Sequence, residues 1–344
     1  MSFSARGASL IDAMRASGRG AIVGPLIMVF SGLSIYIGAG VAVSLFTYFP
    51  PFLVAWLRVA VAAVIMLVVV QPPQMAWSGG PLRRAVFYGF STLLMNMTFY
   101  EAIARIPLGL AVALEFLGPV LVAAATSRSF RDGLAVVLAL VGVALIAGVS
   151  SSTNAAGLFF IFLAGAMWAA YIVTGSKLAD EVSDESPSVG KVRRGRWVSW
   201  RQRKKARELA ESVPGSAPQV VRVSVWQSMA VGFTVATVVT SPLMLLAVPG
   251  VRASLGLHVY PGGSLGFWGL FFSVVVVGVM SSALPYALDQ VVLKLVTPGT
   301  FAALSALLPL TATLIGWLML GQVLGLFERL GVTAIVAAVA LRKS

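Results

Sequence analysis

The stretch from residue 106 to 125 most constrains how this chain can fold. It reads Ile-Pro-Leu-Gly-Leu-Ala-Val-Ala-Leu-Glu-Phe-Leu-Gly-Pro-Val-Leu-Val-Ala-Ala-Ala. The run is long and apolar enough to cross a bilayer, yet it carries Glu115 near its middle. A carboxylate in hydrocarbon costs several kcal/mol unless it is protonated, paired or facing water, so such residues mark functional pathways. Pro119 follows four residues later and has no N–H to give to the carbonyl of Glu115. One spot thus combines an ionisable side chain, a freed backbone acceptor and an expected kink.

The rest of the chain reads as scaffold for that spot. Of 344 residues, 58% are hydrophobic and only 11% charged, with a mean hydropathy of +0.93. Several apolar runs exceed the roughly 18 residues expected of a membrane span, which rules out one large soluble core. Ten segments can be placed: 21–46, 52–70, 84–103, 108–126, 133–149, 156–178, 223–248, 266–295, 299–320 and 324–341. All are expected to be helices, because a span in lipid must satisfy its own backbone polar groups. The fold class is therefore an all-α polytopic membrane protein with ten transmembrane helices.

The chemistry of enzymes is missing. The chain has no cysteine and a single histidine, His258, in a Gly/Pro-rich stretch, so thiolate, zinc and haem sites have no support. There is no phosphate-binding loop, nucleophile elbow or metal cluster. No cofactor and no metal are expected, and active transport would have to draw on an ion gradient.

A net charge of +13 raises the question of nucleic acid, but the placement of the charge answers it. With the N-terminus inside, 21 of the 25 Lys and Arg residues fall on the inner side and only Arg105, Arg252 and Arg329 on the outer, while Arg58 lies within a span. That bias places both termini in the cytoplasm and accounts for the basic character without nucleic acid. The segment 179–222 holds much of the excess: acidic from Asp180 to Glu185, then basic from Lys191 to Arg207, with Trp197 and Trp200. It reads either as a solvated linker with a short helix near 199–212, or as an element whose residues 191–207 rest on anionic headgroups.

The two halves are alike. Gly109, Glu115 and Pro119 each precede Gly299, Ser305 and Pro309 by 190 residues, and Asn96 precedes Tyr286 by the same offset. Each half, 21–149 and 156–341, holds five spans, the second interrupted by the basic loop 179–222. An odd number of spans inverts the second repeat in the membrane, an arrangement suited to alternating access.

Besides Glu115, the ionisable residues well inside spans are Arg58 and Asp289. Arg58 and Glu115 lie at similar depth, so they form a site complementary to both charges of an amino acid or a structural ion pair, or Arg58 bonds helix carbonyls instead. Asp289 is read as a snorkelling or paired residue close to Lys294, and Glu101 with Arg105 as an interfacial pair. Pro285 leaves the Ser281 carbonyl without its helical partner, so the eighth span should bend there. Asn96, Tyr100, Trp168, Tyr171 and Tyr286 are the polar and aromatic candidates. Asn96 leads them, because a buried amide needs partners that lipid does not supply.

These residues resemble a family. Ile106 to Pro119, with its Leu-Glu-Phe-Leu-Gly-Pro core, looks like the fourth-span motif of the threonine/homoserine exporters, in the EamA group of the drug/metabolite transporter superfamily. Met95-Asn96 with Phe99-Tyr100, Ala166-Met-Trp168-Ala-Ala-Tyr171 and Ala283-Leu-Pro-Tyr286-Ala-Leu-Asp289 support the likeness. It implies a ten-helix, inverted-repeat carrier of the bacterial inner membrane that exports small amino acids or related metabolites. Two features depart from the pattern: the long basic insertion, and Ala306-Leu-Leu-Pro309 and Gly321-Gln322 where relatives often carry acids.

The expected function is secondary export of neutral amino acids such as threonine or homoserine, with proton antiport through Glu115. Drug or metabolite efflux by the same fold, and a non-transporting scaffold recruiting partners through the basic loop, are the alternatives. Spans four and nine, with carbonyls freed at Glu115 and Ser305, should line a central cavity together with the Pro285 bend. Cysteines placed at 112, 115, 305 and 309 should then meet water.

Overall fold

The computed structural model describes residues 20–118, 120–121, 130–149, 154–184, 223, 225–248, 263–295, 304–305 and 307–341. Every extended element among them is helical. In chain order these are α1 (Gly20–Leu45), α2 (Pro51–Val70), α3 (Gly79–Ile103), α4 (Leu108–Glu115), α5 (Phe130–Val149), α6 (Ala155–Asp184), α7 (Val225–Leu245), α8 (Phe267–Gly278), α9 (Leu284–Leu295), α10 (Leu308–Leu320) and α11 (Leu326–Leu341). Residues Val23–Leu45, Pro51–Val70, Trp226–Leu245 and Phe267–Tyr286 are long and apolar enough to cross a membrane by themselves. The expected all-α architecture of a polytopic membrane protein is the one observed.

Local chemistry sets the ends. Pro51 opens α2, where its missing N–H is no loss. Gln71, at φ +47°, closes the same helix by giving its N–H to the Leu67 carbonyl at 3.1 Å. Gly321 ends α10 at φ +63°, a left-handed turn that a side chain would strain. The eighth span is not one straight helix: α8 and α9 are joined by a π-turn, Val279–Ala283, just before Pro285. This is the expected bend, with the extra residue accommodating the lost hydrogen bond. Further along, α6 continues through the acidic residues to Asp184. The expected helix near 199–212 and the basic stretch 191–207 lie outside the described residues.

Helix packing follows a regular scheme. α5 lies along α11, α4 against α10, and α2 against α7. α1 packs on the α8–α9 span and on α10, while α6 packs on α3 and α4. α2 meets α8, and α3 meets α7. Each of these contacts has a counterpart when the two halves of the chain are exchanged. At Gly109 the approach of α4 to α10 is too close for a side chain: a Cβ there would stand 2.7 Å from the Thr313 Cα.

The largest core cluster includes Leu45, Tyr100, Ile103, Ile106 and Leu108 at one end of the bundle and continues along the fourth span to Val120. Phe46 meets the Tyr100 ring edge-on, with centroids 5.9 Å apart. At the same end Arg105 Nη1 donates to Glu101 Oε2 at 2.5 Å, as its spacing suggests. The other carboxylate oxygen does more than an interfacial pair requires, since Glu101 Oε1 accepts the backbone N–H of Phe52 at 3.1 Å and ties the start of α2 to the end of α3.

Candidate functional site

Next to that closed end lies a cavity of about 310 Å³ between α1, α2, α3, α4, α6, α7 and the bent eighth span. Its walls bring together Arg58, Asn96, Glu115, Trp168, Tyr286 and Ser305, all singled out in the sequence. Pro285 lines it as well, so the fourth span, the start of the ninth and the bend of the eighth do face one space. Its deep side is formed by buried groups such as Tyr36, Arg58 and Ser281. Along the eighth span the wall passes from buried Ser281 and Pro285 to half-buried Tyr286 and Asp289, toward the end where α1, α3 and α7 begin.

Arg58 sits on α2 and is only 7% exposed. It donates from Nε to Ser282 Oγ at 2.7 Å, from Nη1 to the Tyr100 hydroxyl at 3.4 Å, and from Nη2 to the Ser281 carbonyl. That carbonyl is the one Pro285 leaves without a helical donor. The freed acceptor is thus filled by an arginine from another helix, whose rigid planar fork serves several acceptors at once. The guanidinium carbon also lies 5.5 Å from the centre of the Tyr100 ring.

The expected alternative of a structural Arg58–Glu115 ion pair is not formed. Glu115 ends α4 and faces the cavity, and its carboxylate has no hydrogen bond or ion pair among the described residues. Phe116 beside it packs edge-on against Trp168, with centroids 4.9 Å apart. Asn96 also lines the cavity, but its amide donates to the Thr92 carbonyl one turn back at 2.7 Å, so its N–H groups are partly spent within α3.

Other expectations need correction or fall outside. Tyr100 does not line the cavity; it is fully buried behind Arg58. Pro309 is buried in the first turn of α10, just after the helical residues Leu304 and Ser305 and a turn at Leu307, and it does not line the cavity. Val112 faces the core at 1% exposure and does not line the cavity either. Pro119 lies outside the described residues, as does the side chain of Tyr171. Asp289 is not a snorkelling residue: it lines the cavity and accepts a hydrogen bond from Ser31 Oγ at 3.0 Å. An acid in an apolar helix signalled it, but its short distance from the helix end argued for the surface. Tyr36, another aromatic residue of the spans that the sequence offers, lines the cavity too, whereas Thr92 was missed because a single hydroxyl on a helix carries no signal of direction.

The Gly321-Gln322 departure also has a structural account. Gln322 Oε1 accepts the backbone N–H of Leu108 at 2.9 Å, capping the first turn of α4 from the end of α10. An acid at this position could accept the same bond, so the amide keeps the cap without the charge.

No family model matches the chain. It is 29% identical to the threonine/homoserine exporter RhtA of Salmonella typhimurium over 316 residues, covering 91% of this chain and 88% of that one. The threonine/homoserine exporter RhtA of Escherichia coli K12 is 28% identical over the same span. A protein solved by crystallography superposes over 93% of this chain and 96% of its own with a TM-score of 0.52, at 16% identity, a likeness that concerns fold alone. Over nine-tenths of its length, then, the chain is a homologue of threonine/homoserine exporters of the EamA-type drug/metabolite transporter superfamily.

Proposed function

We propose that this protein is a secondary exporter of small neutral amino acids such as threonine or homoserine, working by proton antiport through Glu115 in a bacterial inner membrane. The observation that carries this reading is the Glu115 carboxylate, which has no hydrogen bond or ion pair among the described residues and is set into a central cavity that an already engaged arginine also lines. Such a carboxylate can bind a proton or a substrate ammonium in turn, and that exchange is what antiport requires. Exporter relatives along most of the chain support the substrate class and argue against an enzyme.

The repeats 21–149 and 156–341 are read as inverted copies about an axis in the membrane plane. The helix contacts that recur with the halves exchanged support this. With both termini cytoplasmic, as the charge bias indicates, the cavity opens inward and the Tyr100–Leu45 core closes the outer side. Rocking of the halves would exchange the two conditions. Asn96, Trp168, Tyr286 and Ser305 are then substrate-facing walls, and residues 191–207 are assigned to anionic headgroups.

In proteoliposomes, wild-type protein should take up threonine against a pH gradient and Glu115→Gln should not. Full gradient-driven transport by Glu115→Gln overturns the proton role. A second reading, efflux of a bulkier amphiphile, draws on the aromatic Phe116–Trp168 wall. Growth protection against amino-acid analogues but not toxic organic cations separates the two. The scaffold alternative rests on the loop 179–222, most of which lies outside the described residues, and no observation favours it.

A further inference from the structure

We infer that Asp289 is an ammonium-selecting carboxylate at the open end of the cavity, the first position an amine-bearing substrate occupies before it reaches Glu115. The inference deepens the export reading above and rests on it. It begins from a charge inventory. Among the described lining residues there are two carboxylates, Glu115 and Asp289, and one cation, Arg58. Arg58 already donates from Nε, Nη1 and Nη2 to Ser282, Tyr100 and Ser281. The space is therefore richer in acceptors for a cation than in donors for an anion.

Asp289 is oriented for binding. Ser31 Oγ, from α1, donates to Oδ1 at 3.0 Å and fixes the carboxylate from behind. Oδ2 has no donor among the described residues, and the group forms no ion pair with them. A half-buried carboxylate held on one side and open to a cavity on the other suits a substrate cation, since burial of the charge without a counter-charge is costly.

Position gives the order of events. Asp289 lies seven residues beyond Ser282, hence about 10 Å further along the span toward its open end. An ammonium that enters from that end therefore passes Asp289 before it comes level with Arg58. The ammonium meets Asp289 first and Glu115 afterwards, and a negative vestibule concentrates cations at the opening. Tyr36 of α1, Tyr88 of α3, Glu115 of α4 and Tyr286 beside it are the other titratable groups facing this space.

The test uses the full-length protein in detergent and in proteoliposomes, with three probes: threonine, threonine amide, which keeps only the ammonium, and 2,3-dihydroxybutyrate, which keeps only the carboxylate. Wild type should be stabilised thermally by the first two and not by the third. Asp289→Asn should raise the KM for threonine about tenfold or more with kcat little changed, and Asp289→Glu should restore it. Unchanged KM in Asp289→Asn, or binding of dihydroxybutyrate as tight as threonine, overturns the inference. A wild type blind to threonine but stabilised by threonine amide through Asp289 would sink the export reading and leave this one standing. If neither ammonium compound binds, both fall.

Discussion

Arg58 Nε donates to Ser282 Oγ at 2.7 Å while Nη2 of the same guanidinium reaches the Ser281 carbonyl. One side chain of α2 thus fills the backbone vacancy that Pro285 creates in the eighth span, and it does so at the π-turn where that span bends. The bend and the buried cation are parts of one device: the proline frees an acceptor, and the arginine makes the free acceptor tolerable away from water.

Removing that arginine should therefore destabilise the fold as well as the site. Arg58→Leu strands the Ser281 carbonyl and the Ser282 hydroxyl, at about 1–3 kcal/mol for each buried group left unpaired. Arg58→Lys keeps the charge but lacks the planar fork, so it should fall between wild type and Arg58→Leu. Thermal unfolding in detergent measures both. Midpoints equal to wild type would show that the fork does not support the bend.

Close packing of α4 on α10 makes a second expectation. Gly109→Ala places a Cβ 2.2 Å from Thr313 Oγ1 and 2.7 Å from its Cα, so the helices must separate. The expected loss is about 1–3 kcal/mol, as for other overpacked interfaces. Gly133→Ala, on α5 with nothing within 4 Å, is the control. It should be neutral or gain about 0.5–1 kcal/mol from reduced backbone freedom. Equal behaviour of the two variants would contradict the packing.

The cap from Gln322 to Leu108 is testable by chemistry. Gln322→Ala should lower stability by about 1 kcal/mol, and Gln322→Glu should keep or improve it, since a carboxylate suits a helix N-terminus. Denaturation midpoints of the three proteins should therefore order as Glu, Gln, Ala. An alanine variant as stable as wild type removes the cap from the argument.

Water access distinguishes cavity from core. The chain contains no cysteine, so single cysteines report without background. Cysteines at 115, 289 and 305 should react with a membrane-impermeant thiol reagent, with rates that change when threonine is added. A cysteine at 112 should stay unreactive, because Val112 is 1% exposed in the core. Reactivity at 112 to match 115 would mean that α4 presents a different face.

Much of this was legible before any coordinates. Helical spans, the bend at Pro285 and the acid at Glu115 follow from one-dimensional rules: a span in lipid satisfies its own backbone, a proline frees one carbonyl, and a lone carboxylate needs a reason. Depth along a helix can also be counted, which is why Arg58 and Glu115 were placed at one level. Rotation about the helix axis cannot be counted the same way. The sequence by itself therefore determined which residues lie in the membrane and which backbone groups lack partners. Only the tertiary packing decided that Arg58 turns to Ser281, Ser282 and Tyr100 instead of Glu115. The same packing turned Asp289 inward to Ser31 rather than outward to the surface. Both outcomes depend on which faces of α1, α2 and the eighth span meet, and that is fixed by close approaches summed over many side chains, not by any local run of residues.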